Sequence, residues 1–125
     1  MYPENLKYTK EHEWVLINNN IATIGITYFA QRELGDIVFV ESQEVGSVVV
    51  QDGVFGTVEA VKTVSDLFSP ITGVILEINY NVLNAAELLN TDPYGEGWIV
   101  KIDISDPKEL ESLLSAEDYK VLIGF

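Results

Sequence analysis

The sequence predicts a mainly β domain carrying short helices, two of them at the C-terminus. Short runs rich in Val, Ile, Thr and aromatic residues recur along the chain, separated by Gly, Asn, Asp and Pro. Helix caps are concentrated near the end, where Asp106-Pro107-Lys-Glu109 and Ser115-Ala-Glu-Asp118 each set a capping residue ahead of an acid. The length of 125 residues and the 47% apolar content suit one hydrophobic core for residues 1–125 as a single domain. No linker or low-complexity run divides it.

Taken in order, residues 13–17 and 21–26 are strand-like and flank Asn18, Asn19 and Asn20. Asn tolerates the left-handed backbone of tight loops, so the two runs read as a hairpin. Thr27 is a capping residue, Phe29, Ala30 and Leu34 share a helical face, and Gly35 stops the segment, which predicts a short helix. Strands follow over 36–41, 48–50, 54–60, 63–69, 73–79 and 98–104. Residues 35–41 and 73–79 echo each other on either side of Lys62, which suggests a pseudo-symmetric body. Apolar residues at Leu110, Leu113 and Leu114, then at Tyr119, Val121 and Leu122, complete two helices within residues 106–123.

Twenty Asp and Glu against seven Lys and Arg give a formal net charge of −13. Phosphate binding needs clustered Lys and Arg, so nucleic acid is not an expected partner. The charge suits a soluble monomer that meets its partners through complementary electrostatics. With no Cys there is no thiol nucleophile and no thiolate metal site, so redox chemistry has to come from a group added to the chain. A single His12 supports neither a His-rich metal site nor a Ser-His-Asp arrangement. No apolar run approaches the ~20 residues of a membrane helix. The first residues have neither secretory nor transit character, so a cytoplasmic location without a membrane partner is expected.

Against this acidic background Lys62 stands alone, the only basic residue from Glu33 to Trp98 among eleven Asp and Glu. Its surroundings read Gly56-Thr-Val-Glu-Ala-Val-Lys62-Thr-Val-Ser-Asp-Leu-Phe-Ser-Pro-Ile-Thr-Gly73, two strand-like runs that meet at the lysine. A primary amine at a hairpin tip is either an ordinary surface lysine or the attachment point of a swinging covalent group.

Six motifs, spread over nearly the whole chain, bear on that choice. They are Tyr8-Thr-Lys-Glu-His12-Glu13-Trp14, Ala22-Thr-Ile-Gly25-Ile-Thr27, Leu34-Gly35-Asp36-Ile-Val-Phe-Val, Val-Glu59-Ala-Val-Lys62, Ser69-Pro70-Ile-Thr-Gly73 and Asn90-Thr-Asp92-Pro93-Tyr94-Gly-Glu-Gly97-Trp98. In this series the chain resembles the H proteins of the glycine cleavage system, a family of lipoyl carriers. The resemblance implies a flattened barrel-sandwich hybrid of the lipoyl-domain kind, with lipoate in amide linkage on Lys62 and a lipoyl hairpin around residues 56–73. It implies a non-catalytic shuttle. Its expected partners are a pyridoxal-phosphate-dependent glycine decarboxylase, a tetrahydrofolate-dependent aminomethyltransferase, dihydrolipoamide dehydrogenase and the lipoylating enzymes.

The same resemblance assigns Glu59 and Gly73 to recognition by the lipoylating enzyme. It sets Glu13 and Asp66 beside a cleft that shelters the loaded arm from water. The plain alternatives are an exposed strand carboxylate at Glu59, a turn glycine at Gly73 and solvated acids at Glu13 and Asp66. His12, Trp14 and Trp98 read as structural residues. Ala60 replaces the family's common Ser, Gln43 a frequent Pro and Ala86 another frequent Pro, changes that touch local turns and leave the lysine and its flanking acid in place. A biotin carrier uses a similar hairpin, but biotin acceptors typically place Met on both sides of the lysine, where Val61 and Thr63 stand here. An H-like protein acting mainly as a lipoyl donor to other enzymes would carry the same lysine.

Overall fold

A computed structural model describes residues 1–125. Nine strands form two antiparallel sheets. The larger sheet runs β1 (Lys7–Tyr8), β2 (Glu13–Asn18), β3 (Ile21–Ile26), β9 (Val100–Ile104), β8 (Gly73–Ile78) and β5 (Val48–Val49). The smaller one runs β4 (Ile37–Ser42), β6 (Val54–Ala60) and β7 (Val64–Phe68). The expected mainly β architecture is present as a sandwich, since both sheets contribute to one core of 21 buried residues. Successive side chains on a strand alternate between faces, so Ala22, Ile24 and Ile26 on β3 and Val100, Ile102 and Ile104 on β9 all enter that core. The echo between residues 35–41 and 73–79 does not make the body symmetric: β4 is at the edge of three strands, while β8 is interior to six.

The β2–β3 hairpin turns at Asn19, whose φ of 57° is the left-handed backbone expected there. Thr27 caps α1 (Tyr28–Leu34) by accepting a hydrogen bond from the Ala30 N–H. Gly35 ends it at φ 77° and ψ −151°, a conformation open essentially to Gly alone. Two further helices, α2 (Tyr80–Asn84) and α3 (Leu88–Thr91), and the two-residue strand β1 were not anticipated, because four or five residues carry no readable period. Asn79 organises the start of α2. It caps α2 at the Asn81 N–H and donates to the carbonyls of Glu96 and Trp98 at 2.8 and 2.7 Å.

Asp106 caps the next segment as expected, yet Pro107–Ser112 winds as a 3-10 helix. Six residues exceed the roughly three or four this tighter winding usually spans, and Leu113 N–H closes on Leu110 C=O three residues back. The Glu109 carboxylate bonds the Thr72 N–H and hydroxyl at 2.6 and 2.7 Å, pinning this turn to the β body. Ser115 caps α4 (Ala116–Ile123), which buries Ala116 and Tyr119 in a second apolar cluster with Tyr2, Leu6, Tyr8 and Trp14. The Tyr8 and Tyr119 rings stack at 4.8 Å. No helix is long and apolar enough to cross a membrane.

Candidate functional site

The β6 and β7 strands pair from Val54 against Phe68 to Glu59 against Val64. The Ala60 N–H then donates to the Thr63 carbonyl at 2.8 Å, which leaves Val61 and Lys62 alone at the tip. Neither has positive φ, so the turn forms without glycine. The hairpin proper ends at Phe68. Residues 69–72 cross to the other sheet, and the hairpin is thus shorter than the span of 56–73 expected from the sequence.

The tip is tied from the β4 side, where the Val61 N–H donates to the Asp36 carbonyl at 3.0 Å. Beneath the lysine lies Gly35. A Cβ built there would sit 3.5 Å from Lys62 Cε and 3.8 Å from Nζ, so the side chain lies across bare backbone. Both Val61 and Lys62 are exposed, and the two ion pairs of the chain, Lys101 with Glu77 and Lys120 with Glu117, leave Lys62 unpaired. The result is a free amine on a fixed backbone.

Cross-strand partners share a sheet face. Phe39, Glu59 and Val64 form one row of the solvent face, and Glu41, Thr57 and Asp66 form the next. Glu59 and Asp66 are both exposed there, beside exposed Phe39 and Val64. Asp66 is two residues into β7, about 7 Å from its start at Val64 at about 3.3 Å per residue.

Glu13 occupies a different environment. It is 2% exposed, which overturns the solvated-acid alternative for this residue. Its carboxylate accepts hydrogen bonds from the Thr9 hydroxyl at 2.6 Å and from the Phe68 N–H at 3.2 Å, at the far end of β7 from the lysine. Burial pushes its pKa up to about 7, against the two hydrogen bonds and with help from the nearby charges of Glu11 and Asp52. Glu13 lines a cleft of about 390 Å³ with Thr9, Lys10, Glu11, Gln51 and Asp52, closed on one side by Ser112, Leu113 and Leu114. Asp66 is not among the residues of that cleft.

Gly73 is not a turn glycine. It opens β8, pairs with both Val49 and Ile104, and is buried. A Cβ there would fall 2.1 Å from the Asp103 carbonyl oxygen, so the packing of β8 on β9 demands glycine.

His12 has positive φ (72°) and is half-buried. Its Nδ1 is 2.8 Å from the Tyr119 hydroxyl, which is 2.8 Å from the Thr27 hydroxyl, and its ring lies 4.7 Å from that of Phe29. Burial lowers the His12 pKa despite the acids Glu11 and Glu33, so the ring is held neutral as a structural link between α4 and the start of α1. Trp14 Nε1 donates to the Pro93 carbonyl at 2.9 Å, and its indole fills the space over Gly25. Trp98 carries the Lys101 ammonium 5.0 Å above its ring. Both tryptophans are packing residues, as expected.

A small β sandwich that presents one unpaired lysine on a tied two-residue turn has the build of a carrier domain, with a fixed platform and a free point of attachment. The comparisons place it among known proteins. The family described as glycine cleavage H-protein matches residues 6–124, and the chain belongs to that family. A glycine cleavage system H protein of Chlorobaculum parvum is 57% identical over 124 residues, 98% of this chain and 97% of the relative. One of Chlorobium phaeobacteroides is 59% identical with the same coverage. The crystal structure of a glycine cleavage system H protein from Mycobacterium marinum superposes with a TM-score of 0.92 at 36% identity, covering 98% of this chain and 99% of that one.

Proposed function

We propose that this protein is the lipoyl-bearing shuttle of a glycine cleavage system, with lipoate joined through an amide to Lys62. The observation that carries the reading is the unpaired, exposed Lys62 amine on a turn closed by the Ala60–Thr63 hydrogen bond and tied by the Val61 N–H to the Asp36 carbonyl. The site fits the group, because the amine is accessible to a modifying enzyme while its backbone is fixed. Lipoate supplies a two-electron dithiolane to a chain that has no sulfur redox group of its own. Acylation also removes the one positive charge of this face and adds one negative unit to the net charge of −13.

The chain's own residues position and protect. The rigid hairpin presents the arm, and the tether raises its effective concentration at each enzyme that docks. Glu59, exposed and three residues before the lysine, serves recognition by the lipoylating enzyme. Gly73 is too deeply packed for direct contact, so its part in recognition is to keep the sandwich in shape. Asp66 on β7 and Glu13 on β2, whose carboxylate meets the far end of β7 at Phe68, attract a cationic amine carried by the arm; the cleft at Glu13 excludes water from it. The partners are glycine decarboxylase, aminomethyltransferase and dihydrolipoamide dehydrogenase, and the chain makes no bonds with its own side chains. The test is a reconstituted glycine cleavage reaction with lipoylated wild type and Lys62→Arg. Carrier-dependent CO2 release is expected only with wild type, and undiminished release with Lys62→Arg would overturn the assignment.

A further inference from the structure

The hydrogen bond from Val61 to Asp36 raises the question of what holds Asp36. The answer lies on α3, outside both sheets. Asn90 Oδ1 accepts from the Ile37 N–H at 3.0 Å, while its Nδ2 donates to the Gly35 carbonyl at 2.8 Å and to Gln31 Oε1 at 3.1 Å. Ile37 N–H and Asp36 C=O belong to one peptide group. That group is gripped on one side by Asn90 and on the other by the Val61 N–H at the lysine tip. The second contact of Asn90 fixes the adjoining peptide at Gly35, the residue beneath the Lys62 side chain.

We propose that Asn90 is the positioning residue of the lysine turn. It acts through the peptide between Asp36 and Ile37 to hold Val61 and Lys62 in the form the lipoylating enzyme reads. Three features support this. The β4–β6 ladder is irregular between Ile37 and Phe39, so sheet pairing is weakest just where the tip has to be anchored. The chain from Val61 N–H through one peptide to Asn90 is continuous, and linked hydrogen bonds polarise and strengthen one another. Asn90 also matches each donor and acceptor it faces: it accepts from Ile37 and donates to Gly35 and Gln31, and a carboxylate would lose the bond to the Gly35 carbonyl.

The inference rests on Lys62 being the attachment site, and the experiment keeps the two apart. Amide hydrogen exchange at Val61 and the rate of enzymatic lipoylation are measured for the full-length unmodified chain as wild type, Asn90→Ala, Asn90→Asp and Asn79→Ala. Asn79 makes a comparable set of buried bonds to α2 and the β9 approach, so its variant controls for general loss of stability. Asn90→Ala is expected to speed exchange at Val61 by about tenfold or more, with interior amides such as Val58 still protected, and to slow lipoylation by a similar factor. Asn90→Asp, which keeps the acceptor for Ile37, is expected to fall between. Asn79→Ala should leave both readouts within about twofold of wild type. Wild-type lipoylation by Asn90→Ala would overturn the proposal, as would equal slowing in Asn79→Ala. A wild-type chain that takes no lipoate would instead overturn the attachment site, and Val61 exchange alone would then judge the clamp.

Discussion

Replacing Glu13 by Gln removes a carboxylate from a nearly sealed site while keeping an oxygen acceptor for the Phe68 N–H. Burial holds this group's pKa at about 7, against an ordinary value of 4.5. At about 1.4 kcal/mol per unit the shift amounts to about 3 kcal/mol. The folded chain binds the proton more tightly than the unfolded one, so the sign is fixed. The favourable contribution is fully present below pH 4.5 and is lost as pH rises through about 7. The stability difference between Glu13→Gln and wild type should therefore grow in favour of the variant by about 3 kcal/mol between pH 4.5 and 8. The lowered pKa of His12 acts with the opposite sign, but His12 is present in both proteins and cancels in the difference. Urea unfolding followed by Trp fluorescence at several pH values measures the quantity directly. A difference that stays flat over this range would refute the reasoning and show that Glu13 ionises as an ordinary surface acid.

Glu59→Ala should slow lipoylation with little change in thermal midpoint, since an exposed carboxylate contributes little stability; a lower midpoint with an unchanged lipoylation rate would refute it. Gly73→Ala should destabilise the fold by about 3 kcal/mol in chemical unfolding, because a methyl group there meets the Asp103 carbonyl; a fold of wild-type stability that lipoylates slowly would restore a direct recognition role. On the aminomethylated carrier, Glu13→Gln and Asp66→Asn should each speed hydrolysis to formaldehyde and ammonia, measured apart from loading by the decarboxylase. Unchanged hydrolysis in both would mean that shape alone protects the amine.

The residues that were legible in the sequence are those whose role is local. Asn19, Thr27, Gly35, Asp106 and Ser115 announce turns and caps through their own backbone preferences, and the structure uses each of them so. Apart from the two-residue β1, the strands were readable from their apolar runs, to within a residue or two at their ends. Lys62 stood out because charge is countable, and the hairpin around it because its strands are adjacent in sequence. What escaped were properties that need the third dimension. Glu13 looks like any acid at a strand start, and only the arrival of Phe68 from 55 residues away buries it. Gly73 resembled turn material until β9 closed on it. Asn90 sat in a recognised motif without a role, since its three partners lie 53 to 59 residues upstream. The helices α2 and α3 are too short to show a period.

The central claim is a covalent group on one lysine, and mass analysis of the chain purified from its own cells tests it most directly. The expected intact mass is that of the polypeptide plus a single lipoyl group. Acylated Lys62 resists trypsin, so the adduct should lie on one peptide running from Glu33 to Lys101, with no modification on the other lysines. An unmodified chain cleaved at Lys62, a biotinyl adduct, or lipoate on a different lysine would contradict the account.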